Sequence, residues 1–146
     1  MNLSPNLQKK LYGFESSFSF LQNLIEQNKL PNKLIFSGLK GIGKCTFAYH
    51  VFNYIFSKHE NESYDIKKKE IKENNRSYNL IVNNSHPNFF LIDIKDQKNT
   101  IDISQIRQMI NYTNNSSFDS REKIILIVNI EYLNLNAVNA LLKFIE

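Results

Sequence analysis

The chain has 146 residues, 18 Lys+Arg against 14 Asp+Glu for a formal charge of +4, and is 42% hydrophobic and 22% charged. This composition excludes collagen and full disorder, and a single domain of this length buries roughly 68–70% of its unfolded surface, enough for a core without disulfides or metal staples. The single cysteine, Cys45, excludes an internal disulfide and a cysteine zinc cluster, and no apolar run approaches the roughly 20 residues of a spanning helix.

In chain order, Phe14, Phe18, Leu21 and Ile25 share one helical face and predict a helix over 14–28. KLIFSG, introduced by Pro31 and closed by Gly38, reads as a buried strand over 33–37. Glycines recur at 38, 41 and 43, and Ala48, Phe52 and Ile55 then mark a helix to about Ser57. Residues 58–79, dense in mixed charge and asparagine with Ile66 and Ile71 as the aliphatic positions, predict an exposed insertion, part helical and part mobile. The turn NNSHPN, shaped by His86 before Pro87, leads into a strand over 89–94, FFLIDI. A polar loop, DQKNT, precedes a third helix marked by Ile103, Ile106 and Ile110. After the loop NNSSFDSRE comes KIILIV, a third strand over 123–128, short enough to be buried on both faces. Leu135, Val138, Leu142 and Ile145 mark a final helix entered after Asn134, a good N-cap type. Strands alternating with helices predict the α/β class, a mainly parallel sheet with helices on both faces. Ligands bind such sheets beyond the carboxyl ends of the strands, where the glycine cluster sits.

GLKGIGKC, residues 38–45, matches G-x-x-x-x-G-K but ends in Cys where the P-loop pattern has Ser or Thr. Gly38, Gly41 and Gly43 let the backbone through Ile42 turn tightly and aim N–H groups at a phosphate, at the positive end of the following helix. Lys44 then lies along the β- and γ-phosphates; the alternative is a glycine-rich turn whose Lys44 is merely solvated. The preceding strand and following helix favour the P-loop. Magnesium prefers oxygen ligands and a thiol is soft, so Cys45 is read as a small packing residue. Thr46 has the hydroxyl, but one residue of helix turns it by about 100° away from the phosphates. A hydrolysing P-loop enzyme also needs an acid at the end of a second buried strand. In IILIVNIEYLN the two positions leaving the strand are Val128 and Asn129, and Glu131 is read as a solvated loop residue before a displaced catalytic base. Both halves of the magnesium site are defective, so efficient hydrolysis is not expected.

Four segments in order, LPNKLIFSGLKGIGKCTFAYHVFNYIF, SHPNFFLIDI, IDISQIRQMI and KIILIVNIEYLNLNAVNALLKFIE, resemble the bacterial DNA polymerase III clamp-loader family. The last is close to K-h-h-h-h-D-D-A-D-x-L-N-x-x-A-x-N-A-L-L-K-x-L-E, with h apolar. Lys143 and Glu146 fall on the family's Lys and Glu, and Val128 and Asn129 on its paired acids. LYGFE at 11–15 resembles the family's opening motif. The resemblance implies an N-terminal AAA+ P-loop domain over 1–146 and, because the acids are lost, the rigid, non-hydrolysing member of the ring. It implies at most weak ATP binding, delta and gamma or tau subunits as partners, and primed DNA in the assembled complex. Two features depart from the family: its four-cysteine zinc module is replaced by the cysteine-free stretch 58–79, so no zinc is expected, and its arginine-finger motif, lid and collar would lie beyond Glu146. The final helix lacks a Gly or Asn cap and ends in carboxylates at its negative pole, so the chain reads as a truncated product.

His50, His59 and His86 share no metal-ligand spacing, and Tyr49, Phe52, Tyr54 and Phe56 read as core aromatics before base-stacking ones. Lys67, Lys68 and Lys69, interleaved with Glu70 and Glu73, read as a solvated face and not a DNA track. A pI near 9.1 tolerates an acidic partner but identifies none. MNLSPNLQKK has no apolar signal core, so the cytoplasm is the expected location and no membrane partner is expected. The competing readings are an active P-loop ATPase of the gamma or tau type, a small kinase or another P-loop nucleotide-binding protein, with Thr46 or Glu131 rescuing magnesium, and a fragment with no independent function.

Overall fold

A computed structural model describes residues 3–115 and 121–146. The chain forms two compact units that meet in sequence between His86 and Pro87.

In the first unit, helices α1 (Glu15–Glu26) and α2 (Lys44–Phe56) form as expected, but α2 buries Phe47, Val51 and Tyr54 against α1, while Phe52 and Ile55 of its expected face are only half-buried. Phe18 and Leu21 of α1 and Phe47, Val51 and Tyr54 of α2 are buried in one cluster. Aromatic rings knit it together, with Phe18 edge-on to Phe47 at 6.4 Å and Phe14 stacked on Phe47 at 4.9 Å. Tyr49, Tyr54 and Phe56 are buried as expected of core aromatics.

The strand expected over 33–37 does not form, and the segment joins no sheet among the described residues. Leu34 and Ile35 are 44% and 83% exposed, while Phe36 alone turns inward, edge-on to Phe47 at 5.3 Å. A short apolar run becomes a strand only where a neighbouring ladder takes its backbone polar groups, and the first unit contains no such ladder among its described residues.

The stretch 58–79 is part helical as expected, Arg76 opening α3 (Arg76–Val82), but it is not an exposed insertion throughout: Tyr64, Ile71 and Tyr78 are buried with α1 and α2. The segment is held by backbone pairing to the N-terminal residues: Ile71 N–H donates to Lys9 O at 2.7 Å and Leu11 N–H to Lys69 O at 3.0 Å. Charge density describes the outward residues, such as Lys67 and Lys68; three spaced anchors, two of them tyrosines, decide the packing.

The second unit is a βαβ arrangement. Strands β1 (Phe89–Ile92) and β2 (Ile124–Ile127) pair in parallel, Phe89 opposite Ile124 and Ile92 opposite Ile127, with α4 (Ile103–Asn114) between them in sequence. The strands are shorter than predicted. Asp102 caps α4 by accepting the Ser104 N–H at 3.0 Å, and Ile92, Ile101, Ile106 and Met109 form the core. Each such side chain contributes about 1.5–3 kcal/mol through burial. The loop expected over 114–122 falls largely on residues 116–120, outside the described ones.

Helix α5 (Leu135–Ile145) starts at the expected cap, Asn134 Oδ1 accepting the Ala137 N–H at 2.9 Å. Its buried face is not the expected one: Ala137 and Leu141 face the core, while Leu135 and Leu142 are 74% and 47% exposed. Apolar residues lie on more than one side of this helix, so spacing alone leaves its rotation open. The rotation is set where Ile101 pairs with the segment before the helix, its N–H donating to Tyr132 O at 2.8 Å and its carbonyl accepting the Asn134 N–H at 3.0 Å.

Candidate phosphate loop and strand-end site

The loop residues Gly38, Gly41, Ile42 and Gly43 run directly into the first turn of α2, which holds Lys44, Cys45 and Thr46. Gly41 and Gly43 have φ of +83° and +95°, a region that side-chain-bearing residues adopt only at a cost. Gly43 occupies the N-cap position, and the first helical bond is Phe47 N–H to Gly43 O at 2.9 Å. The N–H groups of the first turn are directed out of the helix end, the geometry that receives anions.

Lys44 folds back over the loop. Its Nζ donates to Gly38 O and to Leu39 O, each at 2.8 Å. The Lys44 side chain thus ties the first turn of α2 back to the entrance of the glycine loop, and an anion entering the loop would compete with two carbonyl dipoles for its ammonium. Leu39 and Ile42 are 79% and 54% exposed, so the loop's apolar side chains do not anchor it.

The strand-end residues lie in the second unit. Val128 continues the ladder, its N–H donating to Ile92 O at 2.9 Å. Asn129 follows with φ +56°, ψ 48° and opens the 3-10 turn Ile130–Tyr132, on which Glu131 is exposed. Asn129 Nδ2 donates to Asp93 Oδ1 at 3.0 Å. Asp93, inside the predicted strand FFLIDI, is a residue of this site that strand periodicity does not mark; its sequence signal is an acid just past a buried apolar run.

The residues in hand fit a phosphate and do not fit magnesium. The loop offers backbone N–H groups and one cation, whereas the position after Lys44 carries a thiol, and Val128 and Asn129 bring no anionic oxygen. Among the described residues no group of three or more His, Cys, Asp or Glu side chains is placed to hold a metal ion. His50 is buried, with Nε2 3.0 Å from Gln8 O and Nδ1 2.9 Å from the Tyr64 hydroxyl. A carbonyl only accepts, so Nε2 carries the proton and Nδ1 accepts from Tyr64. Burial lowers its pKa to about 4, against a weaker opposing effect of the Gln8 carbonyl. His86 packs its ring on Phe56 at 4.2 Å. In the basic run, Lys69 pairs with Glu15 at 3.2 Å, while Lys67 and Lys68 are exposed. No helix among the described residues is long and apolar enough to cross a membrane.

The chain is similar to proteins named DNA polymerase III subunit delta' in several bacteria. It is 26% identical to the Bacillus subtilis protein over 144 residues, 99% of this chain and 38% of that protein. The Buchnera aphidicola protein is 29% identical over 125 residues, 82% of this chain and 35% of that one. The Pseudomonas aeruginosa protein is 28% identical over 67 residues, 46% of this chain and 20% of that one. The chain therefore spans at most about two fifths of these relatives' length. Residues 14–146 match the family profile described as DNA polymerase III, delta subunit, and that span takes in both the glycine loop and the strand ends. With residues 14–146 matched, nearly the whole sequence, the chain belongs to the DNA polymerase III delta subunit family.

Proposed function

We propose that this chain is the P-loop domain of a delta'-type clamp-loader subunit, a structural and non-hydrolysing member of the ring that assists loading of the sliding clamp on primed DNA. The observation that carries the reading is the chemistry of the site: a glycine loop with Lys44 beside a thiol, and a strand end at Val128 and Asn129 that supplies no acid. Phosphate can be held by N–H groups and one positive charge. The hard oxygen ligands that a magnesium-dependent phosphoryl transfer requires are lacking at both positions.

The reading includes an AAA+ core, a mainly parallel sheet with helices on both faces. It also includes ATP binding that is weak and independent of magnesium, a cytoplasmic location, and assembly with delta and gamma or tau subunits. DNA contact by this domain alone should be weak and salt-sensitive, because a charge of +4 spread through mixed-sign segments makes no continuous basic track.

Two measurements test it. Phosphate release from ATP should stay at background, and calorimetric ATP affinity should be the same with magnesium and with chelator; turnover that requires magnesium and disappears in Lys44→Ala would establish the ATPase reading instead. A longer chain extended through lid and collar should co-purify with delta and gamma or tau subunits, and failure to do so would count against the delta' role.

A further inference from the structure

The carboxyl ends of β1 and β2 present an acid and an amide to one another. Asp93 directly follows β1, Asn129 stands just past β2, and Asn129 Nδ2 donates to Asp93 Oδ1 at 3.0 Å. The same oxygen accepts the Ile94 N–H at 2.7 Å, and the buried Gln105 donates from Nε2 to the Asp93 carbonyl at 2.8 Å. Both the backbone and the side chain of the acid are thereby held. Asn129 is held as well: it adopts the left-handed conformation that Asn and Asp tolerate, and its carbonyl accepts the Tyr132 N–H at 2.9 Å. An ionised carboxylate only accepts and an amide nitrogen only donates, so the pair has one polarity.

We propose that Asp93 and Asn129 form an acid–amide latch in which Asn129, as positioning residue, holds Asp93 Oδ1 and puts an amide donor where a second acid would be needed to hold a divalent cation, so that these strand ends are built to work without one. The proposal rests on the reading of Asn129 as the strand-end position that lacks an acid. Asn129→Asp keeps the size and the left-handed tolerance of the residue and changes only the donor. It brings two carboxylates within hydrogen-bonding range, where they repel each other and together offer magnesium hard oxygen ligands. Exchanging the two residues, Asp93→Asn with Asn129→Asp, restores one donor and one acceptor with the polarity reversed, after a rotation of the amide that keeps its oxygen toward the Ile94 N–H.

Thermal unfolding of the full chain without nucleotide, with and without millimolar magnesium, tests the latch. Asn129 is exposed, so Asn129→Asp should lower Tm by about 2–4 °C and recover most of that loss in magnesium. The double exchange should stay near the wild-type Tm, and neither it nor the wild type should respond to magnesium. A neutral Asn129→Asp, a loss that magnesium does not relieve, or a double exchange no more stable than the single variant would overturn the proposal. Neither ATP nor a partner subunit enters the measurement, so failure of a longer chain to assemble with delta and gamma or tau subunits would defeat the functional reading and leave the latch standing.

Discussion

Asn53 and Asn75 face each other in the interior of the first unit, Asn53 Nδ2 donating to Asn75 Oδ1 at 2.8 Å, and both are essentially inaccessible to solvent. The same Asn75 oxygen caps α3 by accepting the Tyr78 N–H at 2.7 Å, and its Nδ2 donates to Glu62 O at 2.7 Å. One side chain on the polar stretch 58–79 thus ties α2, α3 and the intervening loop together. This is how a segment rich in charge and asparagine is fastened to an aromatic core: its polar groups satisfy buried backbone groups that would otherwise be orphaned.

Asn75→Ala should therefore destabilise strongly. It removes a cap worth about 0.5–2 kcal/mol and strands buried partners at about 1–3 kcal/mol, so urea unfolding should show a loss of about 2–4 kcal/mol. Asn75→Asp keeps the cap acceptor but buries a carboxylate and turns an oxygen toward the Glu62 carbonyl, and should cost at least as much as Asn75→Ala.

His50 makes the fold acid-sensitive. Its folded pKa lies near 4, below the ordinary 6.5, so between those values the unfolded chain binds more protons than the native one. Stability should be fully present above pH 6.5 and fall as the pH drops toward 4, a loss of up to about 3 kcal/mol. Urea titrations across that window should show the slope, and His50→Gln, which cannot charge, should flatten it while lowering stability at neutral pH.

The rotation of α5 is tested by two leucines. Leu141 is buried among Ile92, Ile106 and Met109, so Leu141→Ala should cost about 2–5 kcal/mol. Leu135 is 74% exposed, and its replacement by Ala should change stability by no more than about 0.5 kcal/mol. Equal costs would mean that the helix presents the other face.

Gly43 combines a φ of +95° with close packing: a Cβ there would lie 3.5 Å from Phe14 Cε2, an ordinary contact. The cost of Gly43→Ala is then conformational, about 1–2 kcal/mol. Thermal unfolding should register it, and near-ultraviolet circular dichroism should show the Phe14–Phe47 stack retained.

What the sequence determined by itself is what depends on neighbours in the chain. Phe18 and Leu21 of α1 and the Asn134 cap of α5 follow from periodicity and capping, which are short-range properties. So does the chemistry of the loop, since Cys45 after Lys44 carries a thiol in any fold, and likewise the absence of an acid at Val128 and Asn129. The tertiary structure decided whatever depends on a partner distant in sequence. KLIFS had the composition of a strand, but a strand exists only when another segment completes its hydrogen bonds. Tyr64, Ile71 and Tyr78 became core because residues 9–11 pair with 69–71, and Leu135 turned outward because Ile101 pairs with the segment entering α5. Asp93 gained a role only when parallel pairing of β1 and β2 brought Asn129 within 3.0 Å of it, across 36 residues of chain.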